Sequence, residues 1–116
     1  MPEALRACVL GPVRAWVGER ELDLGAARQR AVFAVLAAHA GRLVGRDELI
    51  TAIWGDSPPV TAAGSVYTYV SGLRRVLPPG RLTSASGGYL LRLEPGELDA
   101  GRFQRLRGGG RAADRR

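Results

Sequence analysis

The chain has 116 residues, of which 46% are hydrophobic, a single cysteine and a net charge of +6. These values are typical of one compact domain with a short tail and argue against extensive disorder. One cysteine cannot form an internal disulfide, and neither a membrane-spanning run nor a secretory leader is visible, so we expect a cytoplasmic protein without membrane contact.

The positive charge is concentrated at the C-terminal end. Residues 102–116 hold six arginines and one acid, whereas residues 1–101 hold eleven arginines and ten acids. Net charge alone therefore does not indicate that the folded part binds nucleic acid. Every basic residue is an arginine, whose planar guanidinium suits phosphate and guanine, although a compositional bias of the coding sequence is the preferred explanation.

The first segment predicts three short antiparallel strands. An apolar run covers residues 5–10, and apolar and polar residues alternate over residues 13–17 and 20–24. Pairs that favour tight turns separate the runs. They are Gly11-Pro12 and Gly18-Glu19.

Two helices are predicted next. Residues 26–40 are rich in alanine and free of glycine and proline, and residues 46–54 carry acids in the first turn, where the helix dipole favours them. The inward positions of the first helix are Val32, Val35, Leu36 and His39. Those of the second are Leu49, Ile50, Ile53 and Trp54.

A third helix is predicted over residues 60–77, after a loop at residues 55–59. Pro78, Pro79 and Gly80 end it. Its buried stripe is predicted as Ala63, Val66, Val70, Leu73 and Leu77. Residues 81–85 and 89–93, separated by Gly87-Gly88, then predict a β-hairpin, and residues 98–107 predict the start of a further helix.

This order predicts an α+β fold, a winged helix-turn-helix with a small N-terminal antiparallel sheet, three helices and a C-terminal β-hairpin wing. In that arrangement two helices support a third that enters the major groove of DNA, and the hairpin contacts the neighbouring backbone. The predicted domain covers residues 1–97.

Five stretches resemble, in the same order, the DNA-binding domain of the antibiotic regulatory protein family of actinobacteria, which has an OmpR-type winged helix. They are VLGPVRA at 9–15, ARQRAVFAVLAAHAGRLV at 27–44, RDELITAIWGDSPP at 46–59, VYTYVSGLRRVL at 66–77 and GGYLLRL at 87–93. The segment LDAGRFQRL at 98–106 resembles the first turns of the helical transcriptional activation domain that follows in the family. Residues 98–116 are therefore expected to hold a remnant of that domain and a disordered tail.

The resemblance implies sequence-specific binding to double-stranded DNA at repeated promoter sites, with recruitment of RNA polymerase and self-association on the repeats. Members commonly activate genes of secondary metabolism. The family often has an Arg-Asn pair at Ala63-Gly64 and an arginine at Gly72, so this chain lacks three polar side chains. That difference shifts the expected base contacts to Tyr67, Thr68 and the wing.

The third helix carries the candidate DNA-binding residues, because hydroxyls and arginines at helical spacing suit phosphate and base-edge contacts. These residues are Ser65, Tyr67, Thr68, Ser71, Arg74 and Arg75. Without the resemblance, an ordinary solvated face explains the same pattern better. Arg74 or Arg75 could instead pair with an acid inside the domain.

Candidates outside the third helix lie in the second helix, the wing and one loop. Those for DNA are Arg46, Arg81, Thr83, Ser84 and Ser86. A solvated turn explains the hairpin residues equally well. The loop residues Gly55, Asp56, Ser57 and Pro58 match the region that touches RNA polymerase in related regulators, and a plain helix connector is the alternative.

Enzyme chemistry has little support in the sequence. No sequence motif pairs His39 or Cys8 with a catalytic base or with metal ligands, and no lysine accompanies Gly87-Gly88 as a phosphate loop would require. We therefore expect no catalytic residue, no metal and no cofactor. The competing function is a degenerate winged helix that binds a partner protein instead of specific DNA.

Overall fold

A computed structural model of the chain describes residues 5–98. It has two small antiparallel sheets and three helices, which confirms the predicted α+β winged helix-turn-helix. The elements in chain order are β1 (Leu5–Cys8), β2 (Arg14–Val17), β3 (Arg20–Glu21), α1 (Ala27–Ala38), β4 (Val44–Gly45), α2 (Arg46–Trp54), α3 (Ala62–Val76), β5 (Leu82–Ala85) and β6 (Gly88–Leu91). None of these helices is long and apolar enough to cross a membrane.

The N-terminal sheet has the order β1-β2-β3 and covers one side of the core. Its inward side chains alternate along the strands as the period-2 pattern predicted. They are Leu5, Ala7, Ala15 and Val17, all buried. On the outer face, the Trp16 ring lies 5.1 Å from the guanidinium carbons of both Arg6 and Arg14.

The second sheet has the order β4-β6-β5, and its β5–β6 hairpin is the wing. The predicted turn is displaced by one residue: Ser86 and Gly87 both have positive φ, as a two-residue type I′ turn requires, and Gly88 already belongs to β6. Strand β4 was not predicted, because a two-residue strand shows no periodicity.

The three helices pack around one core that both sheets cover. The α3 stripe, meaning its fully inward residues, consists of Ala62, Val66, Val70 and Leu73. The prediction of Ala63 was wrong: Ala63 is exposed, and Ala62, four positions before Val66, is buried in its place.

The prediction of His39 on the apolar face of α1 was also wrong. His39 is the exposed C-cap residue with a φ of −113°, so helical phase no longer fixes its direction. Phe33 is the buried aromatic residue of α1 instead. Helix α2 is anchored by buried Leu49, with Ile50, Ile53 and Trp54 half-buried against the core.

A buried carboxylate joins the two ends of the described chain. The carboxylate of Glu97 accepts a bidentate pair from Arg81, with Nη1–Oε1 at 2.6 Å and Nη2–Oε2 at 3.0 Å. The backbone N–H groups of Glu94 and Leu5 donate to the same carboxylate, at 2.5 and 3.2 Å. Because Arg81 precedes β5 and Leu5 begins β1, this cluster ties the wing to the N-terminal sheet.

The backbone continues this connection. The Ala7 N–H donates to the Glu97 carbonyl at 2.7 Å, and Ala7 pairs with Leu98 as a parallel bridge. The backbone pairing thus includes Leu98, one residue beyond the predicted domain. Apart from Leu98, the predicted helix at 98–107 and the tail lie outside the described residues.

Burial raises the pKa of Glu97, but the hydrogen bonds from Arg81 and from the backbone outweigh burial and hold that pKa below its ordinary value of 4.5. A carboxylate whose pKa is lowered by folding stabilises the fold above its unfolded pKa, and that contribution disappears as pH falls through the folded pKa.

We therefore predict that Glu97→Gln lowers the free energy of unfolding by about 3 kcal/mol at pH 7, because it leaves the Arg81 guanidinium unpaired. The difference from the wild type should hold down to pH 5 and narrow below pH 4.5. Urea denaturation across pH 3–7 measures it. Glu48→Gln, which breaks the exposed Arg42–Glu48 pair, is the control and should have a smaller effect. A Glu97→Gln difference that persists unchanged at pH 3 would contradict the assignment.

A second prediction concerns the closeness of β4 and β6. A Cβ placed on Gly88 would lie 2.6 Å from the Val44 carbonyl oxygen, a backbone atom that cannot rotate away. Gly88→Ala should therefore destabilise the domain by about 1–3 kcal/mol in chemical denaturation. Gly64→Ala, in open space on α3, should instead stabilise it by about 0.5–1 kcal/mol. Equal effects of the two substitutions would refute this packing argument.

Candidate nucleic-acid interface

Helix α3 presents a polar face opposite its buried stripe. At about 100° per residue, Gly64, Thr68 and Arg75 point directly away from that stripe, and Thr68 and Arg75 are exposed. Ser65 and Ser71 are only half-buried, and Tyr67 is an aromatic residue with 67% of its surface exposed. Of the predicted α3 residues, Thr68 and Arg75 therefore lie at the centre of the polar face, and the others lie on its flanks.

The Thr68 hydroxyl is already used as a donor. It donates to the Gly64 carbonyl oxygen, one turn earlier in α3, at 3.1 Å. Its remaining lone pair can accept a hydrogen bond, and its methyl group is available for apolar contact. Thr68 can therefore contact an amino group or a methyl group of a base edge, whereas its donor is committed to the helix.

Arg74 connects α3 to the wing. Its Nε donates to the Leu82 carbonyl at 3.2 Å and its Nη2 to the Ser84 hydroxyl at 3.4 Å. Arg74 is therefore engaged within the domain, but by a carbonyl and a hydroxyl and not by an acid, which was the alternative considered for it. Arg74 acts as a positioning residue that holds the wing against α3.

The prediction of Arg81 as a DNA contact does not fit the structure. Its side chain is 17% exposed and forms the ion pair with Glu97, and its Nη1 also donates to the Arg92 carbonyl at 3.0 Å. The hydrogen bond to Glu97 raises the pKa of Arg81 above its ordinary value, with burial opposing this. Arg81 therefore supports the wing from inside the domain.

The wing tip and the start of α2 enclose a cleft of about 320 Å³. Arg46 lines it together with Ser84 and Ser86, and the Arg46 N–H donates to the Gly87 carbonyl at 3.0 Å. Thr83, Ser84 and Ser86 are exposed on the hairpin. The structure thus brings Arg46 together with the predicted wing hydroxyls.

Two exposed arginines of this surface carry uncompensated charge. Neither Arg46 nor Arg75 forms an ion pair within residues 5–98, whereas Arg14, Arg42 and Arg81 each pair with a glutamate. Arg46 at the wing and Arg75 near the C-terminal end of α3 are therefore the cations best placed for phosphate contact.

The loop between α2 and α3 forms a separate exposed surface. Gly55, Asp56, Ser57 and Pro58 are all exposed, and Gly55 ends α2 with a φ of 69°. At its base the Arg28 guanidinium carbon lies 5.6 Å from the centre of the half-buried Trp54 ring. This stacking supports the loop from α1, an interaction that the sequence analysis did not foresee.

Glycine 72 faces α1 rather than solvent. A Cβ on Gly72 would lie 2.6 Å from the side-chain Oε1 of Gln29, which the sequence analysis did not single out. No sequence signal marks Gln29, because Gln29 and Gly72 come close together only when α1 and α3 pack against each other. Within residues 5–98 no group of three or more His, Cys, Asp or Glu side chains is arranged to hold a metal ion.

The chain is similar to several known regulatory proteins. The Regulatory protein AfsR of Streptomyces coelicolor is 51% identical over 104 residues, which cover 89% of this chain. The structure of Mycobacterium tuberculosis EmbR in complex with a low affinity phosphopeptide superposes with a TM-score of 0.85 at 35% identity, over 96% of this chain. The DNA-binding domain of Klebsiella pneumoniae RstA in complex with the RstA box superposes with a TM-score of 0.56 at 25% identity, over 68% of this chain and 82% of that one.

The chain spans only 10% of the length of AfsR and 31% of the EmbR chain. Residues 19–91 match the family described as Transcriptional regulatory protein, C terminal. This match covers more than half of the chain, and the family consists of DNA-binding domains and is not an enzyme class. The chain therefore belongs to this family, the OmpR-type winged-helix DNA-binding domains of transcriptional regulators.

Proposed function

We propose that this chain binds double-stranded DNA sequence-specifically, with α3 in the major groove and the wing on the adjacent backbone or minor groove. One observation carries the proposal: the outward face of α3, with Thr68 at its middle and Arg75 near its end, is held by Arg74 at a fixed position relative to the wing. A helix of this width fits the major groove of B-form DNA. The rigid hairpin beside it then meets the flanking strand.

The charges support a division of work between the candidate residues. Thr68 lies at the centre of the exposed face, where base edges would be nearest. Arg75 lies two turns further on, where a strand of the backbone would pass, and Arg46 lies at the wing cleft. Phosphate contacts of this kind position a protein, whereas contacts to base edges select a sequence.

Beyond DNA binding, the proposed role is that of a cytoplasmic transcriptional activator. It recruits RNA polymerase through the exposed loop of Gly55, Asp56, Ser57 and Pro58. This part of the proposal is supported by the loop's exposure on a surface separate from the α3 face. The resemblance to antibiotic regulatory proteins supports secondary-metabolite genes as the targets. It also supports binding to repeated promoter sites, on which copies of the protein associate with one another.

A second candidate function is a protein-interaction module. Ala63 and Gly64 offer no polar side chain near the start of α3, while Tyr67 and Val60 are apolar and exposed, Val60 completely. This module would lack the steep loss of DNA affinity with salt that phosphate contacts produce. A salt titration of binding to duplex DNA therefore separates the two functions.

For Arg75→Ala we predict weaker binding to every duplex alike, because the lost contact is to phosphate. The slope of log affinity against log salt should fall by about one unit. Fluorescence anisotropy with one preferred and one scrambled duplex, across a salt series, measures both effects. Arg20→Ala, which removes an exposed arginine of the N-terminal sheet, is the matched control. An unchanged slope for Arg75→Ala would show that Arg75 does not contact phosphate.

For Thr68→Ala we predict a changed base preference, with a loss of about 1–3 kcal/mol on the preferred duplex and little on scrambled DNA. Thr68→Ser keeps the hydroxyl and Thr68→Val keeps the shape and one methyl group. If the methyl group contacts thymine, Thr68→Val retains the preference and Thr68→Ser loses it. Equal losses on both duplexes for all three variants would mean that α3 does not select bases through Thr68.

A further inference from the structure

The carboxamide of Gln29 lies in a slot formed by two glycines. A Cβ on Gly25 would lie 2.5 Å from the Gln29 Nε2, and a Cβ on Gly72 would lie 2.6 Å from its Oε1. Gly25 precedes α1 with a φ of +90°, a conformation that other residues rarely adopt, and Gly72 lies within α3. Because glycine has no side chain, Gly25 and Gly72 leave this space to the amide in its observed position.

The hydrogen-bonding groups of this amide are unused inside the domain. Gln29 is half-buried, and no group within residues 5–98 forms a hydrogen bond with its side chain. A side-chain amide has two N–H donors and one carbonyl acceptor, which normally find partners. In the free protein water can satisfy them, and a ligand can replace that water.

The amide also lies beside the candidate interface. Gly72 follows Thr68 by four residues and precedes Arg75 by three, so Gly72 is adjacent to both on the surface of α3. Thr68 and Arg75 point straight outward, whereas Gly72 lies on the flank that faces α1. The flank of a helix inserted in a groove faces the sugar-phosphate strand that forms the groove wall.

We propose that Gln29 donates its amide N–H to a phosphate of the bound duplex and is a DNA-contacting residue supplied by α1. The inference rests on the proposed function. The start of α1 favours an anion, because its first turn contains no acid and its dipole is positive there.

Gln29→Ala should weaken binding about tenfold on the preferred and the scrambled duplex alike, the usual effect of losing a hydrogen bond to a charged group. The salt slope should stay unchanged, because a neutral amide releases no counterion, in contrast to Arg75→Ala. Gln29→Glu keeps the shape but places a carboxylate against the phosphate, so it should bind more weakly than Gln29→Ala. Ala38→Glu adds the same charge about 13 Å away along α1 and should have little effect at 0.15 M salt.

Gly72→Ala tests the slot itself. The added methyl group should displace the Gln29 amide and lower the affinity for DNA as much as Gln29→Ala does. In a protein that already carries Gln29→Ala, Gly72→Ala should lower the affinity no further. Urea denaturation of each variant separates this effect from loss of folding. If Gln29→Ala binds like the wild type, or if Gly72→Ala has the same effect in both backgrounds, the inference is overturned while the proposed function stands. If the wild type shows no salt-dependent binding to duplex DNA, both fail together.

Discussion

The wing of this domain depends on the buried pair between Arg81 and Glu97. A carboxylate in this position is tolerated only because Arg81 and two backbone N–H groups satisfy its oxygens. The same cluster fixes the start of β5 relative to β1, because Glu97 binds both Arg81 and the N–H of Leu5. The segment between α3 and β5, which contains Arg81, is thus held in place and supports the hairpin.

Several arginines serve the architecture rather than a ligand. Arg30 donates to the carbonyls of Gly25 and Val13, Arg74 donates to the wing, and Arg81 pairs with Glu97. The planar guanidinium suits this work because it offers several donors in one fixed plane. These arginines are engaged by groups of the domain itself, whereas Arg46 and Arg75 of the candidate interface form no ion pair within residues 5–98. Because phosphate contacts do not select a sequence, hydrogen bonding and shape at α3 must supply any specificity for DNA.

The fold could be predicted from the sequence because the patterns that indicate its helices, strands and turns are local. Strand alternation, the spacing of Val66, Val70 and Leu73 on α3, and the proline-glycine stops each depend on neighbouring residues. The contacts that were not predicted have tertiary causes. The partner of Arg81 lies sixteen residues away, β4 exists only because Gly88 permits its approach, and Gln29 meets Gly72 only across a helix crossing. The candidate site could be located on α3 and the wing, but the sequence could not show which polar groups are already engaged.

The central claim is that the outward face of α3 selects a DNA sequence, and selection of bound duplexes from a random pool tests it most directly. The full chain, at physiological salt, should enrich one motif short enough for a single helix to contact within one major groove. Binding that survives the selection without enriching any motif would contradict the claim. It would reduce the domain to a phosphate-binding surface whose affinity depends on salt alone.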